Sequence, residues 1–149
     1  METHAIESDG ERFVFSVIKN TTEPCPQCGV PACGKEDILW YEDNGQNLAI
    51  VFDGGYFDLV GEEFFQKTNK TIQYDSLPSF MKEWYEARGW TDCWDYNGYE
   101  LEIDDFLESM ELLKTCEMDK WISIEDIRSM TELANSAKRI GAALKIVRG

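Results

Sequence analysis

Histidine is almost missing from this 149-residue chain, which carries only His4. Nucleophilic catalysis of the Ser-His or Cys-His kind would have to take its base from that residue, in an N-terminal stretch expected to be mobile. Basic residues are scarce too: 14 Lys and Arg stand against 29 Asp and Glu, a formal net charge of −15. Such an excess favours solubility and association with positively charged surfaces, and it disfavours direct binding to nucleic acid or to an anionic membrane. No window approaches the roughly eighteen unbroken apolar residues of a membrane span. The opening METHAIESDGERF has neither the basic flank nor the apolar run of a signal peptide, so the expected location is cytoplasmic. A G-x-x-x-x-G-K-[ST] phosphate loop and a G-x-G-x-x-G following a strand are also missing. With one histidine and no such motif, the expectation is a protein that is not an enzyme.

What is present suits a folded domain. The hydrophobic share is 43% and five tryptophans are spread along the chain, enough for a core in a single domain over 1–149. ERFVFSVI, 11–18, reads as a strand. DILWYED, the turn pair Asn44 and Gly45, NLAIVFD, the pair Gly54 and Gly55, and YFDLV read as a three-strand antiparallel meander. KTIQY, 70–74, is a further candidate strand. SLPSFMKEWYEARG predicts a short helix, with Pro78 near its start, Phe80, Met81, Trp84 and Ala87 at helical spacing, and Gly89 past its end.

Two further helices follow. One is predicted from about Asp104, as N-cap, to Cys116, with Phe106, Met110 and Leu113 on its apolar stripe. The last is predicted from the Ser123 and Asp126 capping pattern, with Ile122 stapled to Ile127. Its stripe runs through Met130, Ala134, Ala137, Ile140, Leu144 and Val147, and Lys145 and Arg148 would favour its C-terminal dipole. The expected fold class is α+β, an antiparallel sheet made of the meander and an acidic hairpin, packed against about three helices.

The acidic hairpin is WTDCWDYNGYELEI, whose Asn97 and Gly98 are the strongest signal for a two-residue turn. Strand alternation would turn Trp94, Tyr96, Tyr99, Leu101 and Ile103 toward the core, and Asp95, Glu100, Glu102 and Asp104 outward. Asp95 opposite Glu100 is a like-charge pair, which costs stability in a sheet. Carboxylates at every second residue repeat at roughly 7 Å, on the scale of a phosphate backbone. Asp105, Glu108 and Glu111 continue the acidic surface along the next helix, with Leu112 as an apolar contact within it. Residues 90–119 hold ten acids and one base, Lys114. One reading is a surface complementary to a basic protein; the other is a solvated face on an acidic protein.

Five cysteines complete the inventory, three of them in a loop at 20–37: Cys25, Cys28 and Cys33, spaced C-x2-C-x4-C. The turn Cys25-Pro26-Gln27-Cys28-Gly29 resembles the zinc knuckle of rubredoxin-like and zinc-ribbon proteins. That resemblance implies one structural zinc held by Cys25, Cys28 and Cys33, with Cys93, Cys116 or His4 as the fourth ligand. No second C-x2-C follows, which departs from the ribbon pattern.

These features lead to a functional expectation with one alternative. The first is a non-catalytic acidic inhibitor or antidote, comparable in charge and size to immunity and phage anti-defence proteins, that masks a basic, nucleic-acid-handling protein by charge complementarity or nucleic-acid mimicry. The alternative is a zinc-stapled interaction module whose acidity is incidental.

Overall fold

Asn44 and Gly45 both have positive φ, 55° and 78°, and close the hairpin that the sequence announces. That hairpin is the centre of the fold. The computed structural model describes residues 2–8, 10–21, 36–52, 56–68, 73–82, 99–115 and 123–149. In chain order the strands are β1 (Glu2–Ser8), β2 (Glu11–Thr21), β3 (Asp37–Asp43), β4 (Gln46–Phe52), β5 (Tyr99–Leu101) and β6 (Leu144–Arg148). The helices are α1 (Tyr56–Thr68), α2 (described over 79–82), α3 (Ile103–Thr115) and α4 (Ile124–Ile140).

The strands form one sheet in the order β1-β2-β4-β3-β6-β5. It is mixed rather than antiparallel, because β2 and β4 pair in parallel. Thr21, Phe52 and Asp37 lie side by side, so β3 starts at the end of the sheet where β2 stops. The β3–β4 hairpin then brings β4 back beside β2, pointing the same way. Ala49, Ile50, Val51 and Phe52 are all buried, so β4 needs cover on both faces and takes a central place.

Four expectations are corrected. YFDLV is not a third meander strand but the first turn of α1, whose Phe57, Val60, Phe64 and Phe65 are buried at helical spacing. The N-terminal residues are not a loose end: β1 pairs with β2 from Glu2 to Ser8. Tyr74 belongs to a 3₁₀ turn, Tyr74–Ser76, rather than to a strand. The last helix stops at Ile140, where Gly141 takes the left-handed conformation (φ 71°, ψ 23°) and its N–H reaches the carbonyls of Ala137 and Lys138. Leu144 and Val147 therefore lie on β6, while Ile140 is 51% exposed. Lys145 sits over the Trp40 ring, 5.1 Å from its centroid, and Arg148 is buried; neither serves a helix dipole.

The start of α4 and the apolar stripes of the helices stand otherwise, while α3 begins at Ile103, one residue before the expected cap. Ser123 caps α4, its hydroxyl accepting from the Asp126 N–H at 3.1 Å, and Ile127, Met130, Ala134 and Ala137 are buried. Phe106, Met110 and Leu113 are buried on α3, and Phe80 and Met81 on α2. These side chains join Leu39, Ile50, Phe52 and Ile146 in a core between the sheet and its helices. Trp84, Ala87, Gly89, Ile122, the glycine pair 54–55 and residues 70–72 lie outside the described residues.

The opposite face of the sheet has its own core of Ile6, Phe15, Val17, Ile38, Trp40, Ala49, Val51 and Val147. The β1–β2 hairpin covers it. Along β2 the tip at Glu11 stands ten residues from Thr21, roughly 30 Å of straight strand. Yet the Ser8 hydroxyl, opposite Glu11, donates to the Arg148 carbonyl at 2.9 Å, and Arg148 pairs with Asp37 at the Thr21 end. The hairpin must therefore bend back over the sheet. A register shift between Val17 and Lys19 is the bulge that turns it. His4 Nε2 meets Glu36 Oε1 at 2.7 Å across the same closure.

Candidate functional site

The junction of β5 and α3 gathers the acids that the sequence singles out. Leu101 is buried and Glu100 exposed, as alternation requires, but β5 reaches only from Tyr99 to Leu101 and pairs with β6, with Glu100 opposite Lys145. The chain turns helical at Ile103, which ends the strand repeat of carboxylates. Glu102 is the reason: its carboxylate accepts from the backbone N–H of Asp104 at 3.3 Å and of Asp105 at 2.8 Å. Glu102, not Asp104, caps α3, and its negative charge suits a helix N-terminus. The regular phosphate-like spacing along one strand is thus replaced by a helical stripe.

That stripe is Asp104, Glu108 and Glu111, all exposed, at about 1.5 Å of rise per residue. Asp105 is half-buried beside them, and its carbonyl accepts from the Ser109 hydroxyl at 2.8 Å. Glu111 takes Lys114 at 3.1 Å, while Glu108 has no ion-pair partner among the described residues. Leu112, expected within the acidic surface, is half-buried and packs against the helix-side core instead. Asp95, Trp94, Tyr96, Asn97 and Gly98 lie outside the described residues.

Sequence reasoning missed Lys138. Its ammonium donates to Asp104 Oδ1 at 2.6 Å from the last turn of α4, where a cation is favoured, onto the first turn of α3, where an anion is. The hydrogen bond and charge of Asp104, with a further contribution from Glu102, hold Lys138 above the usual lysine range. Beside the pair runs an open groove of about 590 Å³. Leu101, Ile103 and Ala142 give it apolar walls, and Glu100, Glu102, Asp104 and Lys138 give it charge. The only signal in the sequence was a basic residue one turn before a helix-ending glycine.

Elsewhere, Asp37 and Arg148 form a buried pair that serves packing. Trp40 Nε1 and Tyr56 Oη are buried with no hydrogen-bond partner among the described residues. Burial first, then the Asp126 and Asp37 carboxylates, push the Tyr56 phenol far above its ordinary range and keep it neutral. Cys25, Cys28, Cys33, Cys93 and Cys116 lie outside the described residues, and His4, the remaining candidate zinc ligand, already engages Glu36. Among the described residues no group of three or more His, Cys, Asp or Glu is placed to hold a metal, and no helix is long and apolar enough to cross a membrane.

Comparison with known proteins adds no relative. No family model, curated protein or solved structure matches the chain significantly.

Proposed function

We propose that this protein is a non-catalytic acidic inhibitor or antidote whose β5–α3 face masks a basic, nucleic-acid-handling protein. The supporting observation is the stripe of exposed carboxylates at Asp104, Glu108 and Glu111, with Glu100 alongside, in a chain of net charge −15. Helix-borne acids favour charge complementarity over a copy of the phosphate repeat, because α3 does not keep the even spacing of a nucleic-acid strand. Complementary charge steers the encounter and excludes wrong partners more than it adds raw affinity.

The test is a column of immobilised chain loaded with native cytosol and eluted with salt, then with competing DNA. The wild type is expected to retain a basic DNA-binding protein that both eluents release. Changing Glu100→Gln, Asp104→Asn, Glu108→Gln and Glu111→Gln together is expected to weaken retention by at least about tenfold. Equal retention by the variant would remove this face from the function.

A second reading, the zinc-stapled interaction module, is favoured by the spacing of Cys25, Cys28 and Cys33. It predicts close to one zinc per chain after purification without chelators, lost on Cys25→Ser with Cys28→Ser. Metal analysis finding well under one zinc per wild-type chain would end it.

A further inference from the structure

We infer that Lys138 is an internal competitor for the acidic groove, its ammonium holding the place on Asp104 that an arginine side chain of the partner would take. This rests on the reading above that the face meets a basic protein. The groove already contains a cation: Lys138 comes from α4, 34 residues from Asp104 in sequence, and lies against it at 2.6 Å. Both side chains are more than half exposed, so the contact exchanges readily.

Arginine is the occupant whose chemistry fits. Its aliphatic stem matches Leu101, Ile103 and Ala142 along the groove. Its planar fork can engage both oxygens of one carboxylate, where an ammonium engages as a point charge. Once displaced, Lys138 remains at the C-terminal end of α4, where the helix dipole favours it. The pair thus tunes binding without closing the site.

The probe is a fluorescein-labelled oligo-arginine peptide, titrated into the full chain at low ionic strength and read by anisotropy. Lys138→Met is expected to bind it about threefold more tightly than Arg128→Met does, the latter removing an equal charge from an exposed site elsewhere on α4. Adding Asp104→Asn to Lys138→Met is expected to abolish the gain. Equal tightening in Lys138→Met and Arg128→Met would assign the effect to net charge and overturn the competitor. Absence of binding in every variant would instead overturn the reading that the face meets a basic partner, and the competitor with it. Urea midpoints confirm that each variant is folded.

Discussion

Asp37→Ala is expected to destabilise the protein by about 3–5 kcal/mol, measured as the shift in urea unfolding free energy at neutral pH. Asp37 is fully buried at the start of β3, and Arg148 is 5% exposed at the end of β6. Arg148 donates through Nε to Oδ1 at 2.5 Å and through Nη2 to Oδ2 at 3.0 Å, and the Phe57 N–H at the start of α1 donates to Oδ2 at 3.1 Å. One carboxylate therefore ties two strands to a helix. Its removal leaves a guanidinium buried without that counter-charge, the costly way to break such a pair. Replacing both partners by apolar residues, Asp37→Leu with Arg148→Met, avoids the stranded charge and should be clearly less destabilising than Asp37→Ala. If Asp37→Ala shifts stability by less than about 1 kcal/mol, the pair does not hold the sheet. The consequence reaches the site, since β6 is the strand against which β5 presents Glu100.

Phe15→Ala is the second large effect, also about 3–5 kcal/mol, from lost transfer energy and the cavity left behind. Phe15 is 1% exposed, its ring 5.4 Å edge-on from Trp40 and 6.3 Å stacked from Phe13. It anchors the bent-back β1–β2 hairpin over the sheet face opposite the helices. Phe13, only half-buried on the same hairpin, should cost less when cut to Ala. Urea unfolding followed by tryptophan fluorescence would measure both. Comparable small losses at the two positions would show that the hairpin does not cover a core, and the bend inferred from Ser8 and Arg148 would have to be abandoned.

Local signals in the sequence suffice where a single backbone conformation is required. Asn44 and Gly45 close a hairpin because both must take positive φ. Ser123 begins a helix because its hydroxyl answers an orphan N–H. Short, mostly apolar runs are ambiguous: 56–60 is helix and 144–147 strand, since a run of four or five such residues fits either period. Gly141 was the available stop signal for α4, and the apolar stripe continuing past it masked the boundary.

The acidic face divides the same way. From sequence alone came its residues, their sign and their concentration in one stretch, because charge is a property of composition. Which of those carboxylates remain open was decided by tertiary structure. Glu102, still exposed, engages the start of α3 through a local contact, whereas Asp104 meets a lysine 34 residues away and Glu108 keeps solvent. The parallel pairing of β2 with β4, the bend of the β1–β2 hairpin and the burial of Asp37 with Arg148 were settled at that level too. Sequence determined the charge of this protein and the local conformations that a turn or a cap dictates; tertiary structure chose the partners, because strand order and buried ion pairs depend on contacts between residues far apart in the chain, which no local period records.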